Sequence, residues 1–264
     1  MSDTPKPGGS DYEAQLAKSS AAVAEFDHAP RGMIGTVQHV LHANPTFVPV
    51  IVLVASIAVF GVIAGERFFS PFNLSLIMQQ VSIIGILAAA QTLIILTAGI
   101  DLSVAAIMVL MSVISGKLAV QLGVPAPIAL LVGFAGGIAA GYLNGWLVTR
   151  IKLPPFIATL GTWNVFFALN LWLSGAQSIR GADIDATAPI LKFFGNTIQI
   201  GDARLTYGTL LMIAIFVALW YILNKTAWGR HVYMIGDDKE AAELAGIRTD
   251  RTLRQVYMLA GFIC

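Results

Sequence analysis

Residues 68–116 read FFSPFNLSLIMQQVSIIGILAAAQTLIILTAGIDLSVAAIMVLMSVISG, and nearly all of them are uncharged. These 49 residues contain no lysine or arginine, and Asp101 is their only charged residue. An α-helix rises about 1.5 Å per residue, so about 20 apolar residues cross the hydrocarbon core of a bilayer. The stretch is therefore long enough for two membrane spans. We place them at about residues 74–98 and 102–122, with their connection at residues 97–103.

The composition of the whole chain points to the same class of protein. Hydrophobic residues make up 56% of the 264 residues and charged residues only 12%, whereas soluble domains average about 25% charged residues. The net charge of +1 gives no electrostatic basis for binding nucleic acid. A single cysteine, Cys264, excludes an internal disulfide framework. The composition predicts an integral membrane protein.

The remaining apolar segments extend this prediction to an all-α, polytopic transmembrane helical bundle with six spans and the start of a seventh near Tyr257. Residues 1–45 are polar and predict a disordered cytoplasmic tail with a juxtamembrane segment, without a cleavable signal peptide. Residues 46–264 form the transmembrane domain, which we expect to be incomplete at its C-terminus. The further spans are placed at about residues 47–65, 128–148, 156–174 and 207–223.

The distribution of basic residues orients these spans. Lysines and arginines concentrate in the loops at residues 149–155 and 224–256, and cytoplasmic loops carry an excess of such residues. With six spans before residue 224, both loops and the N-terminus lie on the same side. The pattern predicts that all three face the cytoplasm. A single broken helix around Asp101 would reverse this parity.

Four glycines recur at four-residue spacing in the fourth span. A helix face reduced to glycine lets another helix approach its backbone closely. We interpret the stripe as a packing surface, within the subunit or between subunits, and not as a ligand site. Its members are Gly133, Gly137, Gly141 and Gly145.

The loop at residues 224–256 contains a short charged helix. Asp237 is the predicted N-cap, with Glu240 three residues later as in a capping box, and Gly246 is the predicted C-terminal glycine. Helical spacing places Glu240 and Glu243 on one face. A helix of about two turns is unstable alone in water, so it rests against its own protein or, as we expect, a partner. The opposite face consists of Ala241, Leu244 and Ala245.

Polar residues within the apolar spans are the candidates for function, since the sequence has no Walker A, Gly-x-Ser-x-Gly or His-Glu-x-x-His motif and predicts neither a catalytic site nor a metal site. Asp101 has two interpretations. In the first it is a functional residue, which serves as a gate, a substrate contact or an ion site. In the second it caps the start of the next helix, assisted by Ser103. Neutral amides bind sugar hydroxyls or bond between helices. Those we assign to a substrate pathway, with Asp101 and Ser103, are Gln91, Asn164 and Asn170.

Four motifs in order along the chain resemble one family. The segment EAAELAG resembles the EAA-type cytoplasmic loop of bacterial ABC-importer permeases, and TAGIDLS resembles a signature of the permeases that serve ribose, xylose and arabinose. LPPFIATLG and TAWGRHVY are similar to segments of the same group. The four motifs occupy residues 240–246, 97–103, 153–161 and 226–233. Within the group, residues 230–246 most resemble fructose-type permeases.

The resemblance implies a sugar-import permease of the bacterial inner membrane that forms a pore with a second permease copy. It implies two further partners, a periplasmic sugar-binding protein and a cytoplasmic ATPase that binds the ATP and magnesium, so this chain needs no cofactor of its own. Glu240, Ala241, Ala242 and Gly246 would dock into a cleft of the ATPase by this motif, and we include Glu243 in the coupling set.

Two other classes of function stay open at this point. An ion- or proton-coupled secondary transporter would use Asp101 as its coupling site and would need no ATPase. A membrane scaffold or receptor subunit would transport nothing and would tolerate loss of the amides in the spans.

Overall fold

The computed structural model describes residues 41, 44 and 46–264. The predicted tail at residues 1–45 therefore lies outside the described residues, apart from positions 41 and 44. The chain divides into two compact units at residues 68 and 69, and each is described by itself.

The described part of the first unit is one apolar helix. Helix α1 spans Phe47–Ala64 and is followed by a 3₁₀ turn at Gly65–Arg67. None of its residues is buried. A helix that is apolar on all sides is typical of a membrane span.

The second unit contains the other helices and a small sheet. Helix α2 begins at Pro71 because Ser70 caps it, its side chain accepting a hydrogen bond from the Asn73 N–H. The further helices are α3 Val104–Val120, α4 Ala126–Thr149, α5 Pro155–Ser174, α6 Gly181–Thr187, α7 Tyr207–Lys225, α8 Ala227–Asp237, α9 Lys239–Leu244 and α10 Thr249–Ile263, with α2 ending at Ile95. A 3₁₀ turn at Pro189–Gly195 precedes the antiparallel strands β1 Thr197–Ile200 and β2 Ala203–Thr206.

The structure confirms an all-α polytopic bundle. Helices α1, α2, α4, α5 and α7 are long and apolar enough to cross a membrane, and α3 is a shorter apolar helix of 17 residues. The predicted start of the seventh span lies inside α10, which begins at Thr249. Residues 175–205, between α5 and α7, contain α6, β1 and most of β2.

Helices α2 and α3 form two antiparallel elements and not one broken helix. The start of α2 contacts the hairpin, where the Arg204 N–H donates to Ser75 Oγ at 2.8 Å. The end of α2 lies at the opposite end of the unit, beside Gly236 of α8. Helix α3 runs back in the opposite direction. Near its C-terminal end, the Lys117 ammonium donates a hydrogen bond to the carbonyl of Leu173, close to the end of α5. The reversal on which the orientation argument depends is therefore present.

The unit has two ends. The hairpin end contains residues 175–206 and the connection between α3 and α4. The basic end contains the connections at residues 96–103, 150–154 and 226–248. The main core lies between α2, α7, α8 and α10; its largest buried members include Tyr257, Leu93, Ile94 and Val232.

The glycine stripe on α4 lies against two neighbouring helices of the same chain. A Cβ on Gly137 would overlap the Gly261 carbonyl of α10, and one on Gly141 would overlap the Tyr257 carbonyl. Gly145 faces α10 farther along. Gly133 instead faces Ser115 of α3. The stripe thus sets the close antiparallel approach of α4 and α10, which connects the core to the basic end.

Candidate coupling site

Three of the recognised motifs and the short helix α9 meet at the basic end. The connection at residues 97–103 contacts the motif that starts α5, because the Leu102 N–H donates to Thr159 Oγ1 at 3.2 Å. Helix α8, which carries a further motif, lies at the same end, since Gly236, three residues beyond that motif, faces the Leu96 carbonyl just before the connection. Residues of the 97–103 connection, of the motif that starts α5 and of α9, but none of α8, line a cavity of about 320 Å³ between Thr97, Pro155 and Lys239.

Asp101 lies in the connection between α2 and α3 and is 4% exposed. Its Oδ1 accepts hydrogen bonds from the Ser103 N–H and the Ser103 hydroxyl, both at 2.7 Å. Ser103 is the N-cap residue of α3, and its own side chain makes no capping bond. The Asp101 carboxylate therefore fixes the residue at which α3 begins, the place that the capping interpretation gives it.

A buried amide from α4 completes this cluster. Asn144 is fully buried, and its Nδ2 donates to Ser103 Oγ at 2.7 Å and to Asp101 Oδ2 at 3.4 Å. No cation pairs with Asp101 within the described part of the chain. Burial raises the pKa of the Asp101 carboxyl above its ordinary value, and the bonds from Ser103 and Asn144 lower it in part. Sequence reasoning did not connect Asn144 with Asp101.

Helix α9 begins one residue later than the sequence predicted. Asp238 is its N-cap, and Asp238 Oδ1 accepts a hydrogen bond from the Ala241 N–H at 2.9 Å. The prediction of Asp237 was wrong, because Asp237 is still helical as the last residue of α8. The chain becomes extended only at Asp238, with φ −150° and ψ 106°. Glu240 is consequently the second helical residue, and the predicted capping box is not formed.

The end of α9 is closed by Gly246. Its φ of +85° lies in the left-handed region, which strains any residue with a Cβ. Its N–H donates to the Glu243 carbonyl at 2.9 Å. A C-terminal glycine was predicted at this position.

One residue of the predicted coupling set faces inward. Ala242 is 1% exposed and packs in a small cluster with Ile235 of α8 and Leu253 of α10. The methyl group of Ala242 is thus covered by its own chain, unlike the other predicted coupling residues, which are exposed. Ala242 anchors α9 instead.

The other residues of α9 divide between an anchoring side and an outward side. Glu243 Oε1 accepts a hydrogen bond from Thr249 Oγ1 at 2.5 Å, which fastens α9 to the start of α10. Leu244 is 91% exposed. We call the solvent-facing side of α9 the outward face. It consists of Glu240, Ala241, Leu244, Ala245 and Gly246.

The three amides expected in a substrate pathway do not share one cavity. Asn170 lines a cavity of about 700 Å³ between α3, α4 and α5, and Gln91 and Asn164 do not line it. Asn164 donates to the Leu160 carbonyl of its own helix at 2.9 Å. The side-chain oxygens of Gln91 and Asn170 are buried without a partner in the described part of the chain. Sequence reasoning missed Lys117, which also lines the larger cavity.

Comparison with known proteins shows which family the chain belongs to. Residues 73–264 match the family described as branched-chain amino acid transport system / permease component. The chain belongs to this permease family. It is therefore a multi-pass protein of the inner membrane and a transport subunit, and the prediction that it is not an enzyme is confirmed by the family.

The relatives include permeases that import sugars. The chain is 52% identical to the fructose import permease of Rhizobium meliloti over 254 residues, which are 96% of this chain and 71% of that protein. It is 36% identical to the ribose import permease of Bacillus subtilis over 76% of this chain and 60% of the relative. It is 31% identical to the D-allose transport system permease of Escherichia coli over 80% of this chain and 62% of the relative.

These matches confirm the resemblance to sugar-import permeases. The chain spans between 60% and 71% of the length of these three relatives. No solved structure matches the chain.

Proposed function

We propose that this chain is the permease subunit of an ATP-binding-cassette importer that moves a monosaccharide, fructose or a similar sugar, across the inner membrane. The sugar assignment is supported by the 52% identity to a fructose import permease. In this proposal a partner ATPase binds ATP and magnesium, a periplasmic protein delivers the sugar, and two permease copies form the pore. The basic end and the N-terminus face the cytoplasm, because basic loops concentrate on that side.

The observation that carries the proposal is the outward face of α9. A helix of six residues is too short to be stable by itself, and here it is held by Ala242, by Glu243 and by the cap at Asp238. Its outward face is then free to fit a partner. An exposed leucine beside two alanines gives a small apolar surface that seats in a groove.

The contacts behind α9 suggest how movement of an ATPase would reach the spans. Ala242 packs on Leu253 of α10, and α10 lies in close backbone contact with α4 at Gly141. Helix α8, continuous with α9 except at Asp238, lies against the end of α2 through Gly236. A push on α9 therefore acts on α2 and α4 together. Alternating access follows if this displacement opens the bundle toward one side and then the other.

The test is copurification. The full-length permease is expressed with its genomic neighbours, extracted from the membrane, and examined for a bound ATPase. We expect an ATPase with the normal chain and none with Glu240→Lys, whose side chain lies on the outward face. Lys192→Glu at the hairpin end is the matched charge-reversal control and should retain the ATPase.

Three outcomes decide between an ATPase-coupled permease and a secondary transporter. An ATPase that is lost only with Glu240→Lys supports the coupling role. Sugar-stimulated hydrolysis that stays normal in Glu240→Lys would overturn that role for α9. Uptake without any ATPase, driven by an ion gradient and lost in Asp101→Asn, would replace the proposal with a secondary transporter.

The choice of sugar has a separate test. Reconstituted transport of labelled fructose and ribose, each with its own binding protein, should favour fructose. Equal rates would show that the permease does not contribute to selection.

A further inference from the structure

The smaller cavity at the basic end has an unusual lining. Its walls are mainly apolar and come from Val148 of α4, the Leu153–Pro155 connection and Leu253 of α10. Two lysines also line it, Lys152 and Lys239, and no carboxylate does. Apolar walls with cationic side chains fit a ligand that has an anionic group next to apolar parts.

The position of the cavity indicates which class of ligand it could bind. Helix α4 ends at Thr149 and α5 begins at Pro155, so the cavity lies where apolar helices end. Helix ends of this kind mark the boundary between the hydrocarbon core and water. Basic pockets between transmembrane helices at this boundary bind the phosphate head groups of lipids.

Lys152 is available to such a ligand. It is exposed, and it makes no ion pair with any residue that the structure describes. Its φ of +60° is a conformation that residues other than glycine seldom adopt. Lysine is strongly hydrated and binds phosphate as a point charge.

Lys239 has only weak competing contacts. Its Nζ lies 3.4 Å from Asp250 Oδ1 and 3.8 Å from Glu243 Oε1, and both partners are half exposed. Exposed ion pairs of this length contribute little. An anion in the cavity can therefore share this ammonium group.

A buried hydroxyl supports the same assignment. Tyr257 lines the cavity and is 1% exposed. Its hydroxyl has no hydrogen-bond partner among the described residues, although buried polar groups are almost always paired. An acceptor oxygen on a ligand would satisfy it.

From these observations we propose that the cavity between Lys152, Lys239 and Tyr257 binds a phosphate group, that of an anionic phospholipid at the membrane surface. Lys239 is the first residue of α9, so an occupied cavity restrains α9 relative to α4 and α5. Anionic lipid content of the membrane then adjusts how firmly α9 is held.

The experiment uses the full-length permease in neutral detergent. Binding of dioleoyl-phosphatidylglycerol, dioleoyl-phosphatidylcholine and inorganic phosphate is measured by native mass spectrometry and by the shift in Tm. We expect phosphatidylglycerol to bind and to raise the Tm, and phosphatidylcholine to do neither. Lys152→Gln should weaken phosphatidylglycerol binding about tenfold, Tyr257→Phe should weaken it about threefold, and Lys152→Arg should retain it.

Lys225→Gln is the matched control, because Lys225 ends α7 at the same basic end but does not line the cavity. It should change binding less than twofold. Equal weakening by Lys152→Gln and Lys225→Gln, or equal binding of the two lipids, would overturn the proposal. Competition by inorganic phosphate at similar concentration would keep the phosphate site but assign it to a soluble ligand. ATPase copurification from the same preparations separates failure here from failure of the proposed transport function.

Discussion

Two recognised motifs lie close together at the basic end, and they use their polar residues in opposite ways. In the Asp101 connection, the carboxylate, the Ser103 hydroxyl and the Asn144 amide face one another inside the protein. In α9, only Ala242 is buried, and the outward face leaves Glu240 and Leu244 in solvent. One motif stabilises the reversal of the chain, and the other presents a surface. Two motifs that are equally easy to recognise in the sequence are therefore expected to respond differently to mutation.

The largest expected effect is on the buried side of this comparison. Asp101→Ala removes the acceptor for the Ser103 N–H and the Ser103 hydroxyl, and it also removes the longer of the two bonds that the Asn144 amide donates. Leaving buried donors unpaired costs about 1–3 kcal/mol each, so we expect a loss of about 4 kcal/mol and little folded protein. Thermal unfolding in detergent, followed by size-exclusion fluorescence, measures it. Asp202→Ala, in the exposed hairpin turn, is the control and should unfold like the normal chain.

A matched pair of neighbours in α9 sharpens the comparison. Ala242→Glu forces a carboxylate into the cluster with Ile235 and Leu253, and we expect a loss of about 3 kcal/mol because an unpaired charge is buried. Ala241→Glu places the same side chain on the outward face and should change stability by less than about 0.5 kcal/mol. It should nevertheless reduce ATPase copurification. Equal unfolding temperatures for the two variants would contradict the inward orientation of Ala242.

An intermediate effect is expected at the turn that ends α9. Gly246→Ala adds a Cβ at φ +85°, which costs about 1 kcal/mol. No atom outside the local backbone lies within 4 Å of that Cβ, so the cost is conformational and not steric. Gly201→Ala, at the left-handed turn of the hairpin, has the same kind of strain and should lose a similar amount. The two differ in function, because only Gly246→Ala should weaken ATPase binding.

The same comparison explains what the sequence could and could not predict. Helix positions follow from long apolar runs, which depend on local composition, and the six predicted spans before residue 224 agree with the helices to within about three residues, whereas α10 begins eight residues before the predicted start of the seventh. The hydrogen bond from Asn144 to Asp101 joins residues 43 positions apart, and no local pattern contains it.

The errors in α9 have a related cause. Asp237 and Asp238 are both good capping residues. Their order along the chain therefore does not decide which of them ends α8 and which caps α9. Which alanine is buried depends on where α8 and α10 lie. In a helix of six residues, the spacing of alanines is compatible with more than one orientation.

The smallest effect on stability is expected at Leu244, and it separates folding from partner binding most clearly. Its side chain is 91% exposed, so Leu244→Ala removes almost no buried surface from the isolated chain. We expect the unfolding temperature to stay unchanged. Burying a leucine in a partner groove stabilises a complex by about 2 kcal/mol, so affinity for the ATPase should fall about tenfold or more. Titration of the detergent-solubilised permease with purified ATPase measures this, and Leu122→Ala, also strongly exposed but at the hairpin end, is the control. A change in the unfolding temperature without a change in affinity would mean that Leu244 packs within its own subunit, and α9 would then have no outward face to offer a partner.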